Sequence, residues 1–207
     1  MPSSTQWATF LLASFLFIQV PGPSLLFTIG RALTVGRRDA LLSVVGNALG
    51  LAVQGALVAV GLGAVVATSA TAYTAVKLVG AAYVIWLGIQ AIRHRADARH
   101  AMGMGAPPAR GRPLRIGFVV GATNPKTIVF FAAFLPQFTD PGGPVALQTA
   151  VLALVFAMMA VVSGSVWALL AGQARAWFAR KPTRLDGLSV AGGTMMVGLG
   201  VTMLVRD

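Results

Sequence analysis

The chain has 207 residues, 57% of them hydrophobic and only 10% charged, against roughly 25% charged in a soluble domain. It has no Cys and no Glu, which excludes a disulfide framework, a Cys-based zinc site and thiol chemistry. The net charge of +11 does not point to nucleic acid, because 13 of the 16 Lys and Arg residues fall in three short segments between long apolar runs, the pattern of a chain whose solvent is lipid.

The first apolar run covers about 7–30. It has no charge before Arg31 and continues past Gly22, so it reads as a retained span and not a cleaved signal peptide. It is interrupted by Pro21-Gly22-Pro23 and followed by Arg31, Arg37 and Arg38. The second run, about 40–67, carries Ser43, Asn47, Gly50 and Gln54 at offsets of four, three and four, which places them on one helical face. Such a stripe lines a polar pathway or bonds to another helix. Gly46 and Gly50 are a small-xxx-small pair suited to close packing. The third run, about 72–92, holds Lys77 near its outer end, within snorkelling reach of the interface. Residues 93–113 are rich in Arg, Gly and Pro and form the one obvious linker. The fourth run, about 114–138, is interrupted by Asn124-Pro125-Lys126. The fifth, about 145–172, is followed by Arg175, Arg180, Lys181 and Arg184. The sixth, about 187–205, contains Gly192, Gly193, Gly198 and Gly200, again a packing pattern. Each run is near the roughly 20 residues needed to cross the hydrocarbon core.

Lys and Arg follow the first, third and fifth runs and are absent after the second and fourth. The positive-inside rule therefore puts the 93–113 linker in the cytoplasm and both termini outside. Three spans on each side of the linker give halves of opposite orientation, 1–92 and 114–207, as in inverted-repeat transporters. The two Pro interruptions fall at corresponding positions of the halves, near mid-membrane.

Proline donates no backbone hydrogen bond, so Pro21 and Pro23 are expected to free the carbonyls of Phe17 and Gln19, and Pro125 that of Gly121. The residues before proline, Val20, Gly22 and Asn124, avoid the helical region. Each broken span then splits into half-helices, the second of each pair beginning near Ser24 or Thr127. Two helix N-termini meeting at mid-membrane suit a carboxylate, and freed carbonyls suit an ammonium group. Lys126 costs about 2.5–3.5 kcal/mol to insert at mid-span, which marks it as a candidate ligand for a substrate carboxylate. No acid lies mid-span, and His94 and His100 are in the linker, so neither metal coordination nor acid–base catalysis has residues in the bilayer centre. Asp39 and Asp186, at the cytoplasmic starts of the second and sixth runs, are helix N-terminal anions and also candidates for gating or proton carriage, with Lys77 a further gating or coupling candidate.

These motifs resemble the LysE/RhtB family of amino-acid exporters over nearly the whole chain. The matching pieces are PGPS at 21–24, GNALG at 46–50, KLVGAAYVIWLG at 77–88, RIGFVVGATNPKTIVFFAAFLPQF at 115–138 and RLDGLSVAGG at 184–193. The resemblance implies export of small amino acids or their analogues driven by an ion gradient, with the proton as the expected coupling ion. It makes Pro21, Gly22, Pro23, Asn124, Pro125 and Lys126 the central motif residues, with Lys77 and Asp186 as further family-like positions. Many relatives read PGPD where this chain has Ser24.

The expected fold is all-α, with six spans in two inverted three-helix repeats in the bacterial inner membrane. The expected function is secondary export of a neutral amino acid such as homoserine, threonine or leucine, at a midplane site that includes Ser24 and Asn47. It is expected not to be an enzyme, to need no cofactor or metal, and to have lipid and a second copy of itself as candidate partners, not nucleic acid. The rival reading is a membrane assembly or lipid-interacting protein that transports nothing.

Overall fold

A computed structural model describes residues 2–68, 70–96, 112–140, 142–181 and 183–205. Among these, the regular elements are all helical. Helix α1 (Ser4–Gln19) opens on a capping box in which Ser3 and Gln6 exchange side-chain-to-backbone bonds, satisfying two otherwise orphaned amides. It ends where Val20 turns extended, with ψ 123°, as a residue before proline must. Helix α2 (Pro23–Thr34) begins with proline at its first position, where the missing N–H is no loss. It stops before Gly36, whose φ of +91° is open to glycine at little cost. Helix α3 (Arg37–Thr68) and helix α4 (Ala70–Arg93) complete the first half.

The second half repeats the break. Helix α5 (Pro113–Ala122) ends at Thr123, Asn124 is extended with ψ 106°, and helix α6 (Pro125–Phe134) again starts on proline. A 3₁₀ turn (Leu135–Phe138) extends α6, and helices α7 (Val145–Arg180) and α8 (Thr183–Val205) follow. The axes bend by 56° between α1 and α2 and by 49° between α5 and α6. The half-helices thus start at Pro23 and Pro125, one and two residues before the expected Ser24 and Thr127. Helix α7 runs eight residues past the apolar run that ends at 172, carrying its basic residues as helix and not as loop.

Among the described residues, α3 and α7 are each long and apolar enough to cross a membrane, and each bent pair adds a third and fourth span if it crosses as one unit. Helices α4 and α8, of 24 and 23 residues, cover the third and sixth apolar runs. The linker expected at 93–113 lies largely outside the described residues.

Two kinds of contact hold the bundle. Helix α3 lies along α5 so closely that a Cβ on Gly46 would overlap the Leu114 carbonyl. One on Gly117 would overlap the Ser43 carbonyl, and one on Gly121 the Asn47 carbonyl. Small residues at membrane interfaces allow this approach and the dispersion it brings. Helices α4 and α8 meet in the same way through Gly88 and Gly193. Elsewhere the core is aromatic. Phe17 of α1 stacks on Phe130 of α6 with centroids 3.8 Å apart, and Phe10, Phe134, Phe138, Phe131 and Phe156 continue the cluster. Helix α1 is thereby fixed against α6, which brings the two breaks face to face.

Candidate functional site

The breaks meet around a cavity of about 60 Å³ lined in part by Phe17, Val20, Gly22, Ser24, Asn47, Asn124, Lys126 and Ser163. That is room for a handful of waters. Lys126, second residue of α6, reaches across to the first break. Its Nζ donates to the Phe17 carbonyl at 3.1 Å and to the Val20 carbonyl at 2.9 Å. It also lies 4.3 Å above the Phe17 ring, a cation–π contact. Gly22 makes room for this reach, since a Cβ there would stand 3.1 Å from Lys126 Cδ.

Ser24 is the second junction. Its Oγ accepts from Asn47 Nδ2 at 3.0 Å and from Asn124 Nδ2 at 2.9 Å. With both lone pairs used, the hydroxyl proton is its remaining polar capacity, on a residue that lines the cavity. Asn124 is oriented by its own role as N-cap of α6, its Oδ1 accepting from the Lys126 amide at 3.1 Å. Helix α2 starts at Gly22 with no side-chain cap. Of the two helix N-termini expected at the site, one is therefore closed by Asn124 and one is open.

The polar stripe of α3 divides between the cavity and bonds to other helices. Asn47 faces the cavity, while Gln54 donates to the Ala122 carbonyl at 2.9 Å and the Asn124 carbonyl at 3.3 Å. The Thr127 hydroxyl donates to Gln54 Oε1 at 2.8 Å. Gln54 thus binds the loose backbone of the second break, and Gly50 packs on α5. Ser43 accepts from Arg31 Nε at 3.2 Å and donates to the Asp39 carbonyl.

The structure corrects some expectations and only places others. The freed carbonyls that Lys126 engages are those of Phe17 and Val20, and they are met by Lys126 itself and not left open for a ligand. The Gly121 carbonyl is recovered by the Asn124 amide at 3.4 Å. Pro21, Pro23 and Pro125 shape the breaks without lining the cavity. Arg31 is not a loop charge, for it is buried in α2. Asp39 and Asp186 sit half-buried in the first turns of α3 and α8, away from the cavity lining. Lys77 is in α4, with its side chain outside the described residues.

Three residues of the site gave no motif to read. Gln19 Nε2 donates to Ser163 Oγ at 2.9 Å, and Trp167 Nε1 donates to Gln19 Oε1 at 2.9 Å. They tie α1 to α7 beside the cavity. The available signal was a lone Gln two residues before Pro21 and a Ser–Trp pair one turn apart in an otherwise apolar run.

The sequence model of the LysE type translocator matches residues 15–207. The chain belongs to the LysE family. It is 35% identical over 198 residues to an uncharacterized membrane protein of Vibrio cholerae, covering 95% of each chain. It is 34% identical over 197 residues to the homoserine/homoserine lactone efflux protein of Salmonella typhimurium, again covering 95% of each. A leucine efflux protein of Enterobacter is 32% identical over 135 residues, 64% of this chain and 63% of that one. No solved structure matches. Within the LysE family this chain's two breaks, with Lys126 and Ser24 between them, fall on the PGPS and NPK segments that carry the resemblance.

Proposed function

We propose that this protein is a secondary exporter of neutral amino acids or close analogues, of the size and polarity of homoserine, threonine or leucine. The observation that carries the reading is the meeting of the two broken spans around one cavity. Unwound backbone at that depth is tolerated where protein or a wet cavity satisfies it, and here it is arranged with polar groups of opposite kinds. The open N-terminus of α2, the Ser24 hydroxyl and the amides of Asn47 and Asn124 suit a carboxylate. Among the described residues that line the cavity there is no Asp or His, and Lys126 is the charged one. A cationic side chain would find no counter-ion and would face Lys126. The efflux relatives at about one-third identity support the same class of cargo.

Around this site we place six spans in two inverted three-helix repeats, 1–92 and 114–207, with the linker cytoplasmic. Transport proceeds by rocking of the halves, coupled to the proton gradient. Purified protein in liposomes preloaded with unlabelled amino acid tests the reading by counterflow. Labelled leucine, homoserine or threonine should accumulate and labelled lysine should not. Absence of counterflow for every neutral amino acid would make the chain a non-transporting membrane protein.

A further inference from the structure

We propose that the Phe17 and Val20 carbonyls are the subsite for the substrate's α-ammonium, and that Lys126 is a tethered stand-in which fills it when the carrier is empty. The inference rests on the exporter reading and deepens it. Pro21 gives the Phe17 carbonyl no i+4 amide, and the extended Val20 leaves its own carbonyl turned out of the helix. The Phe17 carbonyl receives the Val20 amide at 3.2 Å, and each carbonyl oxygen can accept two bonds. What completes them is an ammonium: two N–H bonds at 3.1 and 2.9 Å and an aromatic face at 4.3 Å. The α-ammonium of an amino acid is the same chemical group, with the same three donors.

Two ammonium groups cannot share this place. The lining contains no acid to neutralise a second positive charge, and like charges at contact in a poorly screened site repel strongly. Entry of a zwitterion therefore displaces Lys126 by its own length of side chain. The displaced ammonium keeps its proton and pairs with the incoming carboxylate, beside Ser24 and the open end of α2. The exchange at the subsite moves no proton, so coupling to the proton gradient falls to groups outside the cavity, and the net charge of the site is the same empty or loaded.

The consequence is kinetic. An empty carrier with Lys126 in the subsite has its breaks satisfied as a loaded one does, so it can reorient and return. Without Lys126 the return step requires a substrate ammonium, and the protein becomes an exchanger. This separates the proposal from the simpler role of Lys126 as a carboxylate ligand, in which exchange and net efflux fall together.

The experiment compares counterflow of labelled leucine with its net efflux into amino-acid-free buffer, for the parent and Lys126→Ala in liposomes. Lys126→Met, matching the stem in length, serves if the Ala variant does not fold. Both rates are expected to fall, but the ratio of exchange to net efflux should rise by about tenfold or more, the loss of a charged hydrogen-bonding group being large at a buried site. Methylammonium or propylammonium on both sides should restore part of the net efflux by entering the emptied subsite. A parallel fall of both rates, or both rates kept, with no rescue by the amine, would overturn the proposal while leaving the exporter reading in place. Absence of any counterflow in the parent would instead remove the exporter reading, and this inference with it.

Discussion

Ser24 is the position at which an acid would change the charge of the site. It stands at the fourth position of the PGPS segment, and its hydroxyl oxygen accepts from the side-chain amides of Asn47 and Asn124 at 3.0 and 2.9 Å. A carboxylate at the same place can accept both bonds, and it gains from the uncapped first turn of α2, an interaction of about 0.3–1 kcal/mol. It would also stand in the same cavity as Lys126. Ser24→Asp is therefore expected to fold and to admit lysine, raising the ratio of lysine to leucine counterflow by about tenfold, the effect of roughly 1.4 kcal/mol of added attraction. Ser24→Ala separates charge from shape. It leaves two amide donors without their acceptor, at a cost of about 1–3 kcal/mol each where buried, so leucine counterflow should fall with no gain for lysine. Equal lysine transport by the parent and the Asp variant would show that the carboxylate at this position does not set selectivity. Lys126 stands out in the sequence as a candidate site residue from its depth alone. Its partners were not, because the sequence shows which carbonyls proline frees but not which side chain another helix brings to them.

The break is the element that makes the site, and glycine is what brings the breaks together. Helix α3 presents Asn47 to Ser24, and α5 lies on the backbone of the same helix through Gly46, Gly50, Gly117 and Gly121. Gly121→Ala would drive a methyl into the Asn47 carbonyl, a backbone atom that cannot rotate aside. Overpacking of this kind costs about 1–3 kcal/mol, so Gly121→Ala should lower the thermal midpoint in detergent by several degrees and weaken transport by moving Asn47 off Ser24. Gly198→Ala is the control, since a Cβ there meets nothing within 4 Å and replaces glycine by a better helix former. Similar midpoints for the two variants would contradict the close packing of α3 on α5. The Gly46–Gly50 half of this contact was legible in the sequence as a small-xxx-small pair, whereas its complement on α5, Gly117 and Gly121, carries the same spacing and was read only as part of a family motif. Helix limits followed the apolar runs closely, and the exceptions have physical causes. Proline is accommodated in a first turn, so α2 and α6 begin on Pro23 and Pro125 themselves, and α7 continues past its apolar run because its basic tail is also a good helix former.

On the scale of the whole molecule, charge gives an expected direction where packing gives none. The helices pack across the two halves, α3 on α5 and α7 and α4 on α8, so the bundle is interleaved and its contacts alone do not say which end faces the cytoplasm. The basic residues carry the expectation. They cluster after the first, third and fifth apolar runs, and the cost of carrying Lys and Arg across the membrane keeps such segments inside. The burial of Arg31 in α2, bonded to Ser43, removes one charge from the first of these clusters, but Arg37 and Arg38 remain exposed at the start of α3, so the sign of the bias stands. The turn between α6 and α7 is the opposite case: residues 139–144 carry Asp140 and no Lys or Arg. The absence of Cys allows both ends to be probed with single substitutions. Gly142→Cys, on an exposed turn, is expected to react with a membrane-impermeant maleimide in intact cells. Gly103→Cys, in the linker, should react only after the inner membrane is permeabilised. The two sites are separated by the fourth span alone, so a pair of opposite results also tests whether the bent pair α5 and α6 crosses the membrane as one broken helix. If both sites label from outside, that pair is a re-entrant loop, and the opposed halves on which alternating access depends would have to be abandoned. If both are protected until permeabilisation, the orientation is wrong as well. Labelling of Gly142→Cys with protection of Gly103→Cys leaves one arrangement: a span broken at Asn124, entered from the cytoplasm at Pro113 and left on the outside after Phe138, with Lys126 held between.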